Sequence, residues 1–186
     1  VAFGTVDEWA GLAEPDGVAV VEQQLWSDEL AATATDDKIA MAIELEQAAL
    51  ALDPRIRIDD ANYADSWSAH AVVTSTGIQR SGRGNGCYVV ASTLATQNDE
   101  TQTGYGFSVG RSPSALDLSV AAGDAVDRAT RLLGAGKPAS RRVTVVLDPF
   151  VTAQFLGIIG STLNGENVVK GRSLFRDRLG ENVANE

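Results

Sequence analysis

Any chemistry in this chain has to come from very few groups. There is one histidine, His70, and one cysteine, Cys87. A thiol nucleophile needs a base beside it, and His70 is the only imidazole available. Cys87 opens the apolar run CYVVASTLA, which marks it as a small buried hydrophobe. His70 lies in a strand-like run among alanines, which marks it as structural or surface. One histidine cannot make a histidine-rich zinc site, and no carboxylate spacing completes one. A single cysteine also excludes an internal disulfide and a cysteine-based zinc site, and it fits a reducing, cytoplasmic setting. Ser161 sits in GIIGST and lacks the G-x-S-x-G frame of a nucleophile elbow. The acidic pairs in EPD, at Asp36-Asp37 and at Asp59-Asp60, read as caps and turns, because adjacent strand residues point to opposite faces. The glycine-rich run RSGRGNG at 80–86 lacks the GxxxxGK[ST] spacing of a phosphate loop and lies between strands. It is expected to be a flexible hairpin connection.

The elements that position these groups emerge from periodicity. DGVAVVE is expected as a short strand or strand edge, with Trp9 and Trp26 packing onto the next helix. Ile39, Ala42, Ile43 and Leu50 recur at helical spacing, so Asp36–Leu52 is expected as a helix capped by Thr35 or Asp36. Asp53-Pro54 ends it, since proline disfavours a helical residue before it. From about 56 to 110 the pattern changes to short alternating runs. SAHAVVTST, GCYVVASTLAT and QTGYGFSVG read as strands, with turns at Gly77 and at QNDE, 97–100. That is the pattern of an antiparallel meander. Leu116–Leu133 reads as a helix capped by Ser112 or Ser114, with an alanine-rich face and a Gly134, Gly136, Pro138 stop. RRVTVVLDP reads as a buried β-branched strand. Phe150–Leu163 is the third helix, with Pro149 at its first position, and NGENVVKGRSLF is a connector. The fold class expected is α+β, an antiparallel meander sheet packed against about three helices, with 1–186 as a single domain.

The totals narrow the function. Net charge is −10, from 25 acidic and 15 basic residues. Nucleic-acid affinity rests on cationic contacts, so direct nucleic-acid binding is disfavoured. Arg141-Arg142 and Lys170–Arg178 are the only basic clusters, and both read as solvated faces. No run of about 18 apolar residues exists, so no membrane span is expected. The chain opens on Val1 without a basic, apolar leader, as expected of a trimmed or partial chain. Residue chemistry alone yields an α+β domain without a visible catalytic set.

The stretch from Arg141 onward adds a resemblance. VTVVLDPFVTAQFLGIIGSTLNGENVVKGRSLFRDRLGENVAN resembles the TldD/PmbA family, once called modulators of DNA gyrase, and its VVKGRSLFRDRLGE is similar to the PmbA (TldE) branch. AIELEQAALALDPRI and DRATRLLGAGKP are similar to earlier family segments, so the resemblance spans roughly 28 to 186. It implies that 148–186 leads toward an absent β-rich C-terminal domain. In the TldD branch this helix carries a His-Glu-x-x-x-His zinc motif. This chain has Leu156 and Ser161 at the histidine positions and Gly157 at the glutamate position. The resemblance therefore implies no catalytic residue and no metal in this chain, with zinc in a TldD-like partner subunit. It implies a non-catalytic half of a two-part metalloprotease acting on small unfolded peptides. The connector Gly165–Arg178, with Lys170, Arg172, Arg176 and Arg178, is expected to line the chamber or meet the partner; the bland alternative is a loop packing on the C-terminal domain. A stand-alone peptide-binding module is the alternative function.

Overall fold

The computed structural model describes residues 11–19 and 21–183. Contacts group the chain, expected as one domain, into two compact units, Val1–Gly136 and Lys137–Glu186.

The first unit is built on an antiparallel meander, so the α+β expectation holds. Strands β1 (Ile56–Val73), β2 (Gln79–Gln97) and β3 (Glu100–Gly110) lie in the order β1-β2-β3. They are longer than the sequence suggests. RSGRGNG is not a connection: it is the first half of β2, with Gly82, Gly84 and Gly86 opposite His70, Ser68 and Ser66. Glycine is a poor strand former, but here close neighbours favour it. A Cβ at Gly82 would lie 2.9 Å from the His70 imidazole, and one at Gly84 would lie 3.3 Å from Leu25 O. A bulge between Ile58 and Asp60 absorbs one residue of β1.

The helices are α1 (Asp28–Ala32), α2 (Thr35–Leu52) and α3 (Leu118–Thr130). The caps differ from those expected. Ala34 stands at the α2 N-cap without a side-chain bond, leaving Asp36 and Asp37 in the first turn, where the helix dipole favours them. Asp117 caps α3 by accepting from Val120 N–H, while Ser114 is taken by Glu29 of α1. The five residues of α1 are too few to leave a periodic signal. DGVAVVE forms no strand among the described residues. Trp26 meets the next helix through its indole N–H, which donates to Asp28 of α1 at 2.9 Å, and its ring lies 4.3 Å from the Arg83 guanidinium. Trp9 falls outside the described residues.

One sheet face carries the core. Val89, Ala91, Thr93 and Ala95 of β2 are fully buried beneath Leu45 and Ala49 of α2 and Ala121, Ala125 and Ala129 of α3. Helix α3 sits almost on the sheet backbone because Gly104 and Gly106 lie beneath it. The buried Thr93 hydroxyl donates to Ala125 O at 2.8 Å, tying sheet to helix. Cys87 is buried at the end of this face, and desolvation pushes its thiol pKa up. His70 is exposed. The opposite face leaves Tyr88, Phe107 and Val109 exposed.

Asp53 closes α2. Its carboxylate accepts from Arg55 N–H and from two guanidinium nitrogens, at 2.9, 3.0 and 2.7 Å. These bonds hold its pKa down at about 2, against an ordinary 3.8. A depressed carboxylate adds stability above its unfolded pKa, and that stability is lost as pH falls through the folded value. The melting temperature is therefore expected to drop as pH goes from about 4 to about 2, and Asp53→Asn should flatten that drop. An identical acid profile for the variant would remove Asp53 from the cause.

Candidate functional site

The second unit holds the helix that was set against the metal motif and lacks its residues. Helix α4 (Pro149–Thr162) has Pro149 in its first turn, as the sequence predicts, and the structure adds the cap: Asp148 accepts from Phe150 N–H at 2.8 Å. The segment before it does not form the expected strand. Residues 139–148 carry no ladder, and Val145 and Val146 are 67% and 93% exposed. A β-branched run pairs only where a neighbouring strand offers an edge, and none is present among the described residues of this unit.

Helix α4 has no buried residue. Phe155, Leu156, Ile158 and Ile159 are all exposed. An apolar helix of this kind belongs in an interior or interface. Leu156 points an aliphatic chain into open space, and a Cβ at Gly157 would meet nothing within 4 Å. Ser161 donates its hydroxyl to Ile158 O at 2.7 Å, one turn back in its own helix. A zinc ion does not fit this set: a hydrocarbon, a hydrogen and a hydroxyl turned to the helix backbone offer no ligand and no base. Among the described residues, no three His, Cys, Asp or Glu side chains gather in a way that could hold a metal.

The connector folds back on the end of α4. After α5 (Gly165–Val169), the Ser173 hydroxyl donates to Thr162 O at 2.5 Å and accepts from Phe175 N–H at 3.0 Å. Asn167 donates its amide to Ser161 O at 3.0 Å. These side chains satisfy carbonyls that every helix leaves open at its C-terminus. Ser173, buried within KGRSLF, is not legible in the sequence, because one serine among charges carries no pattern.

The four basic candidates lie on this connector. Lys170 pairs with Glu166 at 2.9 Å, one helical turn away, and Arg178 pairs with Glu181 at 2.9 Å. Arg176 donates to Gly171 O at 3.2 Å, across a turn where Gly171 has φ +67°. Arg172 is fixed through its backbone N–H to Asn167 O at 2.8 Å. Local carboxylates thus compensate Lys170 and Arg178. The arrangement offers an ordered loop beside α4, with an apolar helix face and guanidinium groups on one unit.

Comparison with known proteins bears on both units. The family described as PmbA/TldA metallopeptidase central domain matches residues 28–133, and the one described as PmbA/TldA metallopeptidase C-terminal domain matches 140–186. Metalloprotease MJ0996 of Methanocaldococcus jannaschii is 27% identical over 141 residues, covering 72% of this chain and 30% of that protein. A Bacteroides thetaiotaomicron protein named a modulator of DNA gyrase superposes with a TM-score of 0.87 at 24% identity, covering 99% of this chain and 43% of that one. A Thermotoga maritima protein of the same description gives 0.73 at 20% identity, covering 89% of this chain and 38% of that one. TldE from Thermococcus kodakarensis gives 0.68 at 17% identity, over 99% of this chain and 42% of that one. At these identities the likeness shows a shared fold. The chain spans less than half the length of each of these proteins.

Proposed function

Because the chain belongs to the PmbA/TldA metallopeptidase family, we propose that it acts as the metal-free, TldE-like half of a two-subunit metallopeptidase. A TldD-like partner subunit supplies the zinc and the catalytic base. The pair degrades or matures small unfolded peptides in the cytoplasm. The observation that carries this reading is helix α4, which is capped, apolar and followed by an ordered connector while Leu156, Gly157 and Ser161 present no metal ligand. A helix kept for zinc chemistry would need imidazoles there. A helix kept for an interface needs the apolar surface that α4 bears. The connector basic groups Lys170, Arg172, Arg176 and Arg178 lie beside that surface, where peptide carboxylates or a partner are met.

No helix among the described residues is long and apolar enough to cross a membrane. The charge of −10 opposes duplex DNA, so a gyrase-directed role by direct DNA contact is the weaker reading.

The test is solution mass by light scattering, for the chain alone and mixed with a metal-motif-bearing homologue from the same source. A 1:1 complex is expected. Stoichiometric zinc and peptide cleavage by the chain alone would overturn the proposal. Restoring the motif letters with Leu156→His, Gly157→Glu and Ser161→His is expected to give little zinc-dependent cleavage, because three side chains on one exposed helix do not exclude water or complete a ligand shell. Robust cleavage by the triple variant would show that α4 alone makes the site.

A further inference from the structure

Helix α2 is apolar on two sides. Leu45 and Ala49 are fully buried in the core. Ile39, Ile43 and Leu50 lie on the side away from them, 53%, 49% and 44% exposed. One exposed apolar residue needs no explanation; three aligned on one helix do. Isoleucine gains nothing there from propensity, because its branched side chain loses rotamer freedom in a helix. A helix with apolar residues all round belongs in an interior, and α2 has only one side covered.

The spacing of this outer face is regular. Residues 36, 39, 43, 46 and 50 follow steps of three and four, the repeat of a helix–helix seam. They read Asp36, Ile39, Ile43, Glu46 and Leu50, and all five are exposed. The seam thus holds a carboxylate, Glu46, between Ile43 and Leu50. Glu46 forms no ion pair among the described residues. The helix cannot provide one. Its single base, Lys38, turns to β1 and pairs with Asp65, and its remaining charges, Asp37 and Glu44, are acidic. These charges select the occupant. A helix laid over Ile43 and Leu50 buries Glu46 between them, and a buried carboxylate without a cation is costly. The covering helix must therefore bring a lysine or arginine to that level. A second copy of α2 cannot, since its seam offers only carboxylates. Anionic lipid and nucleic acid are repelled by the same groups.

We propose that the outer face of α2 is a docking surface for a helix of another protein, one that carries an apolar seam with a lysine or arginine within it. Ile39, Ile43 and Leu50 supply the packing area. Glu46 sets register and partner choice, as a polar group within an apolar seam does. No residue of α4 or its connector takes part, so failure to pair with a metal-bearing homologue leaves this surface unaffected.

The experiment uses the full chain and two fluorescein-labelled helical peptides of about 18 residues, read by anisotropy. Both carry leucine along one seam, with alanine and glutamine elsewhere. They differ only at the central seam position, arginine in one and glutamate in the other. The parent chain should bind the arginine peptide about tenfold more tightly or better. Glu46→Arg should reverse that preference. Glu22→Arg, the same charge change at an exposed position outside the helix, should keep it. Ile43→Ser should weaken the arginine peptide about fivefold or more, since it removes apolar area from the seam. Lack of binding by both peptides overturns the proposal. So does an unchanged preference in Glu46→Arg, or an equal reversal in Glu22→Arg, which would reduce the effect to net charge. Parental affinity in Ile43→Ser also overturns it, and the Glu46→Arg swap decides the matter if Ile43→Ser does not fold. A doubling of mass that Ile43→Ser abolishes, with neither peptide bound, would assign the face to a second copy and overturn the stated occupant.

Discussion

Gly106→Ala is expected to lower stability by about 3 kcal/mol and the melting temperature by roughly 6–12 °C. The added Cβ would stand 2.0 Å from Ala121 O and 2.7 Å from Ala125 N. Both are backbone atoms of α3, so no rotamer change relieves the clash. The whole helix must lift from the sheet, and lifting it stretches the Thr93–Ala125 bond and opens the alanine interface on either side. Gly123 provides the control. It lies within α3, and a Cβ there meets nothing within 4 Å. Gly123→Ala should therefore stabilise by about 0.5–1 kcal/mol, through helix propensity and a less flexible unfolded chain. Two chemically identical substitutions should move the melting temperature in opposite directions. If Gly106→Ala melts like the parent, α3 does not sit on Gly106 in solution.

The second large effect is Leu45→Ala, expected to cost about 3–4 kcal/mol. Leu45 is the largest fully buried side chain among the described residues, and most of its buried companions are alanines: Ala49, Ala91, Ala95, Ala121, Ala122, Ala125 and Ala129. The cost of a cavity depends on how far its walls can collapse. Alanine has no rotamer with which to fill a void, and close backbone packing prevents the helices from sinking further. The loss should fall at the upper part of the usual range. Urea unfolding would read it as a lower midpoint at an unchanged slope. A shift below about 1 kcal/mol would mean that α2 is not seated on the sheet as described.

Much of the first unit is legible in sequence because its signals are local. Ile39, Ala42 and Ile43 reveal α2, Asp53-Pro54 ends it, and the polar turns at Gly77 and 97–100 divide the three strands. The α4 start is equally plain, since Pro149 is a residue that needs no N–H at the first helical position. The misreadings concern features that depend on partners distant in sequence. Nothing within RSGRGNG indicates a strand; the demand for glycine comes from His70 and Leu25, which cross it in space. RRVTVVLDP and DGVAVVE have the composition of strands, yet composition cannot supply an edge to pair with. The caps mislead for a related reason: Ser114 is a good cap by type, but Glu29, 85 residues away, already binds it. At the candidate site, Leu156, Gly157 and Ser161 are readable only against a motif, whereas Ser173 needs coordinates, because its value lies in one carbonyl it reaches.

The length of the β1–β2 ladder has a consequence for the order in which the molecule assembles. The two strands meet across the short turn Thr74–Ile78, β3 comes after the turn at 97–100, and α3 packs back on β3. Each step closes a small loop, so pairing can advance from the turn outward without a long chain search. Among the longer closures are the bonds from Ser27 to Asn85 and from Glu29 to Ser114, which close 58 and 85 residues. These long closures form last and hold few buried groups, so they are also the first to release. Hydrogen exchange should show amides of α1 opening well before those of β2, with the sheet still whole beneath them.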